Sequence, residues 1–120
     1  MIKFIRSVSH ALSGIAFAVR TQRHMKIHCA ASVLTALLGW YLQLGLVEWC
    51  LIVFAITLVI SAEMLNTAIE QVVDLASPQR HPLAKAAKDV AAGAVLVATF
   101  GAIAIGGIVL GPPLWKVLLS

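Results

Sequence analysis

A chain of 120 residues with 61% hydrophobic and only 12% charged side chains departs from soluble domains, in which about 25% of residues are charged. That balance excludes an ordinary water-soluble fold. The formal net charge of +4 comes from basic residues at the edges of apolar runs, so anionic headgroups or a nucleotide are the expected partners and nucleic acid is not.

In chain order, residues 2–24 are expected to form a surface helix. On a wheel of about 100° per residue, Phe4, Val8, Leu12, Ile15 and Val19 share one face, and Lys3, Arg6, His10, Ser13 and Arg20 share the other. This amphipathic pattern suits a helix lying on the membrane. Charges throughout residues 1–26 argue against a signal peptide.

Three apolar runs follow, with spans expected over residues 27–46, 49–76 and 83–111, because crossing about 30 Å of hydrocarbon takes roughly 20 helical residues. A short turn near Gln43 to Val47 joins the first two. The prolines of Ser77-Pro78-Gln79-Arg80-His81-Pro82 reverse the chain before the third, and Gly111-Pro112-Pro113 is expected to end it. Within the third span Ala94, Ala98, Ala102 and Gly106 form a strip of small residues where another helix is expected to approach closely. Cys29 and Cys50 open spans from opposite faces, about 30 Å apart, too far to pair.

Of the basic residues, all but Lys116 precede the first span or lie between the second and third. The positive-inside rule then places those segments and the N-terminus in the cytoplasm. Trp40, Tyr41, Trp49 and Trp115 fall at the opposite side as one aromatic belt. The fold class expected is all-α integral membrane, one domain over residues 1–120.

Four of the five acidic residues, Glu63, Glu70, Asp74 and Asp89, gather around the cytoplasmic ends of the second and third spans. Glu63 lies about 21 Å along its helix from Trp49, still within the hydrocarbon layer, where a charged side chain costs about 3 kcal/mol. Glu63, Asn66, Thr67, Glu70 and Asp74 share one helix face, and Lys85, Lys88 and Asp89 share a face of the next, so the two stripes are expected to meet. Charges that merely pair to hold helices together account for a snorkelling Lys85 but not for Glu63. An ion path lacks titratable groups in the outer half, Glu48 apart. The favoured reading is a site at the inner interface, with one carboxylate deep enough to meet a lipid hydroxyl and another about 10 Å lower, where nucleotide arrives. A nonenzymatic membrane protein whose acidic stripe only seals a bundle is the competing class.

His24 and His28 have an i, i+4 spacing, but without further ligands nearby they read as interfacial residues rather than a zinc site. No P-loop or kinase-type glycine-rich loop occurs, so phosphate binding would rest on a metal, lysine and helix ends.

The run Glu63-Met64-Leu65-Asn66-Thr67-Ala68-Ile69-Glu70, then Val73-Asp74, then Ala87-Lys88-Asp89 with Ala91-Ala92-Gly93-Ala94, resembles the prokaryotic diacylglycerol kinase family. The stretch Arg20-Thr21-Gln22-Arg23-His24-Met25-Lys26-Ile27-His28 is closer to its undecaprenol kinase branch. The resemblance implies a homotrimer with a surface helix and three spans per subunit, active sites shared between neighbours, and transfer of the ATP γ-phosphate to a membrane lipid hydroxyl. Undecaprenol is the favoured acceptor and diacylglycerol the runner-up.

By motif, Glu63 matches the general base and Glu70 the carboxylate that holds Mg²⁺ on the ATP phosphates. Lys88 and Asp89 match the nucleotide-binding pair, and Asn66 and Asp74 match positions that orient acids and nucleotide. Gln22 stands where the family usually has a second metal-binding glutamate, and an amide oxygen binds Mg²⁺ more weakly. Lys3, His10 and His81 occupy further places of ATP contact.

Overall fold

A computed structural model describes residues 1–120 as four helices: α1 (Ile2–Thr21), α2 (Arg23–Tyr41), α3 (Leu46–Ala76) and α4 (Pro82–Leu119). The architecture is all-α, as expected. α3 and α4 form an antiparallel hairpin that makes the principal interface, α2 packs on α3, and α1 touches α2 and α3 lightly.

Each junction has a local cause. The helix expected over residues 2–24 stops at Thr21, because Gln22 takes an extended conformation (φ −104°, ψ 118°) that redirects the chain into α2. The buried side chains of Ala18 and Met25 seat this corner.

At the other end of α2, Gln43 adopts a left-handed φ of 55°, and Leu44 N–H donates to the Gly39 carbonyl at 3.2 Å. That i to i−5 bond is a Schellman closure, a motif that usually places glycine where Gln43 stands. A Cβ at Gly39 would lie 2.9 Å from Leu44 Cδ1 and 3.1 Å from the Trp49 ring, so a side chain here would have to push both aside. The turn expected near Gln43 to Val47 occupies residues 42–45, so the first span stops at Tyr41, short of the residue 46 expected for its end.

α4 starts on His81, whose Nδ1 accepts from Leu83 N–H at 3.0 Å, followed by Pro82 with its φ preset for a first helical turn. The stop expected at Gly111 does not occur: α4 runs through Pro112 and Pro113 to Leu119. Each proline removes one backbone bond. Unwinding in an apolar medium would strand more donors and acceptors, which is the costlier alternative.

α1, α3 and α4 are long and apolar enough to cross a membrane, α3 and α4 markedly the more apolar. α2 carries Arg23, His24, Lys26 and His28 in its first two turns. At 1.5 Å per residue the 31 residues of α3 extend about 46 Å, more than the roughly 30 Å of hydrocarbon. α3 is therefore longer than the apolar layer is thick, and Glu70 and Asp74 lie in its C-terminal turns.

Only 13 of 120 residues are buried, so one chain by itself covers too little apolar surface to stand in water. Phe54, Val97, Phe100 and Ile108 are among the large side chains left exposed. The apolar core sits at the end of the hairpin away from the acids, where Leu44, Ile52 and Val109 meet, flanked by Trp49, Ile56 and Ile105.

The small-residue strip of α4 only partly serves as a contact. Ala98 is buried, but Ala94 is exposed and a Cβ at Gly106 would meet nothing within 4 Å. With 3.6 residues per turn, an every-fourth row drifts about 40° per step around the helix. The buried seam instead follows Ala91, Ala98 and Val109.

Candidate active site

α3 carries the site's acids on one face, and the two ends of that face see different surroundings. Glu63 is buried, 4% exposed, with Asn66 and Thr67 beside it. Its Oε2 lies 3.7 Å from Nε2 of His28 on α2. Thr67 Oγ1 donates to the Glu63 carbonyl at 3.0 Å, which locks the threonine rotamer and leaves the carboxylate unencumbered. The upper end of the stripe thus faces α2, not the basic stripe of α4 as expected.

One turn further, Asn66 Nδ2 donates to Glu70 Oε1 at 3.2 Å. Asn66 Oδ1 is buried and has no hydrogen-bond partner in the chain. An orphaned acceptor of this kind ordinarily costs 1–3 kcal/mol, by the usual order of magnitude of about 2, and it stands beside a carboxylate. The pair offers hard oxygen donors side by side on α3.

At the lower end the two stripes do meet. Lys88 Nζ on α4 donates to Asp74 Oδ1 on α3 at 2.5 Å, and the charge of Glu70 also reaches Lys88. Lys88 and Asp89, read together from the sequence, separate here, because Asp89 accepts from Lys85 one turn back at 2.6 Å. Neighbours in sequence point about 100° apart on a helix. Lys88 therefore pairs with α3, while Asp89 pairs within α4.

Asp74, Arg80, His81, Lys85, Lys88 and Asp89 line an open polar cleft of about 700 Å³ around the α3–α4 turn. His81 contributes its cap to α4 and a wall to this cleft. Gln22 lies at the α1–α2 corner, its Nε2 donating to Thr21 Oγ1 at 3.1 Å. Lys3 and His10 are exposed on α1, and no side-chain hydrogen bond ties them to the acids within one chain.

The arrangement suits Mg²⁺ better than a metal needing a protein cage. No group of three His, Cys, Asp or Glu side chains converges, and Mg²⁺ commonly takes one or two carboxylates with phosphate and water oxygens completing its shell. Glu70, oriented by Asn66, fits that role. His28, read from the sequence as an interfacial residue, stands instead beside the Glu63 carboxylate. Its signal was available, since a titratable side chain within an apolar run is by default a functional candidate.

These features define a class: an integral membrane protein whose polar, carboxylate-bearing site lies at one end of an apolar helical hairpin. Comparison with known proteins narrows it. The family model described as prokaryotic diacylglycerol kinase matches residues 9–110, and the chain belongs to that family.

It is 43% identical over 112 residues to an undecaprenol kinase of Bacillus subtilis, covering 93% of this chain and 91% of that protein. A diacylglycerol kinase of Synechocystis is 40% identical over 114 residues, 94% of this chain and 65% of the relative. One of Haemophilus influenzae is 31% identical over 107 residues, 89% and 87% respectively. The chain is accordingly a lipid kinase.

Proposed function

We propose that this protein transfers the γ-phosphate of ATP to the hydroxyl of a membrane lipid at the cytoplasmic face of the cell inner membrane, with undecaprenol as the favoured acceptor and diacylglycerol as the alternative. The observation that carries the reading is the split of one face of α3: a buried Glu63 above, and Glu70 and Asp74 below, where Lys88 of α4 pairs with Asp74 beside an open polar cleft. A greasy alcohol approaches the first from the bilayer, and a nucleotide approaches the second from water. The higher identity to the undecaprenol kinase, over nearly the whole of both chains, favours the prenol.

In this mechanism Glu63 accepts the proton of the lipid hydroxyl as its oxygen bonds to the γ-phosphorus, and the bond from phosphorus to the β,γ-bridging oxygen breaks. The products are lipid phosphate and ADP, with the proton left on Glu63. Glu70 would hold Mg²⁺, with Gln22 as a weaker second ligand, and the ion would supply neutralisation of phosphate charge. Asn66 keeps Glu70 oriented. Lys88 supplies positive charge to the nucleotide, with Asp74 and Asp89 setting lysine positions, and Lys3, His10 and His81 complete the nucleotide contacts.

A homotrimer in which subunits share sites accords with the extensive exposed apolar surface of one chain. In that assembly α1 lies on the cytoplasmic surface while α2, α3 and α4 span. The deciding experiment presents purified protein with ATP labelled at the γ-phosphate and an equal mixture of undecaprenol and diacylglycerol. Label in undecaprenyl phosphate is the expected result. Label only in phosphatidic acid reassigns the acceptor, and label in neither lipid refutes kinase action, leaving a nonenzymatic membrane protein.

A further inference from the structure

The one basic side chain within 4 Å of the buried Glu63 carboxylate is His28. Its Nε2 stands 3.7 Å from Glu63 Oε2, with the imidazole 17% and the carboxylate 5% exposed. No other side-chain hydrogen-bond donor reaches that carboxylate, since Thr67 bonds to the Glu63 backbone instead. The separation is longer than a formed hydrogen bond. Catalytic contacts of this kind tighten once substrate is bound.

His28 also lines a largely apolar cleft. It forms part of the wall of a cleft of about 230 Å³ between α2, α3 and α4, together with Ser32, Ala55, Val59 and Ala102. Val59 lies one turn above Glu63 on α3. The cleft is apolar apart from His28 and the hydroxyls of Ser32, Thr35 and Thr99, of which Ser32 is committed to the His28 carbonyl at 2.7 Å and Thr99 to the Val95 carbonyl at 2.8 Å.

We infer that His28 is a positioning residue for the phosphoryl transfer, its Nε2–H holding Oε2 of Glu63 so that Oε1 faces the incoming lipid hydroxyl. This rests on the assignment of Glu63 as the base. The imidazole keeps its own proton throughout, and the hydroxyl proton ends on Glu63. A carboxylate at the end of a flexible side chain needs such a restraint, because a displacement of about 1 Å at the reacting atoms can lower a rate about 100-fold.

The test compares His28→Gln, whose amide nitrogen reproduces the reach of Nε2, with His28→Asn, whose amide falls short, in the full-length protein with lipid and ATP varied separately. The expected result is that His28→Asn lowers kcat about 10- to 100-fold while both KM values stay near wild type, and that His28→Gln recovers most of the loss. Equal kcat for the two variants, or a loss carried by KM, overturns the inference. Glu63→Gln in parallel separates the two levels: if it keeps full activity the assignment of the base fails, whereas if it is inactive and His28→Asn is not impaired only the role of His28 falls.

Discussion

At the scale of single residues, depth and partner decide what each acid does. Glu63 is buried and approached by one imidazole, so its carboxylate is shielded from bulk water. Glu63→Gln is expected to lower phosphoryl transfer about 10²- to 10⁴-fold while ATP binding, measured by equilibrium titration, persists. Glu70→Gln is expected to do the reverse, raising the KM for Mg²⁺-ATP, because it sits with Asn66 at the polar end. Variants that both match wild type defeat these assignments. Lys88 offers a finer test. Its pair with Asp74 is largely exposed, at 41% and 61% of the two side chains, and exposed ion pairs add little to stability. Lys88→Met should leave the thermal midpoint within about 2 °C of wild type yet raise the KM for ATP about tenfold, by loss of a charge-assisted contact. A large drop in midpoint with unchanged KM would mean that the lysine only joins the helices.

At the scale of elements, the α2–α3 turn concentrates the local strain. Gln43 holds a positive φ that costs a side-chain-bearing residue about 1 kcal/mol. Gln43→Gly is expected to raise the thermal midpoint, and Gly39→Ala to lower it through collision with Leu44 and Trp49. Thermal denaturation in detergent measures both, and opposite signs from those stated would show that the turn relaxes. α4 shows the converse, a helix that persists through two prolines. Outside water the helix is the one local conformation that satisfies its own backbone, so breaker rules calibrated on soluble loops stop it too early.

For the whole molecule, the excess of exposed apolar surface over buried core requires lipid or further copies of the chain. Native mass measurement in mild detergent is expected to give three chains per particle. A particle holding a single chain that still phosphorylates lipid would remove the need for shared sites.

The all-helical class, the break between α3 and α4, and the shared face of Glu63, Asn66, Glu70 and Asp74 follow from the sequence alone. Hydropathy and 3.6-residue periodicity are local properties of a chain, and they survive whatever the helices pack against. The partner of each acid does not follow from them, because it depends on how α2 and α4 rotate against α3. Tertiary packing turned Glu63 to His28, gave Lys88 to Asp74, and left Asp89 to Lys85. A helix turned by one residue, about 100°, would exchange those partners without altering a single sequence pattern.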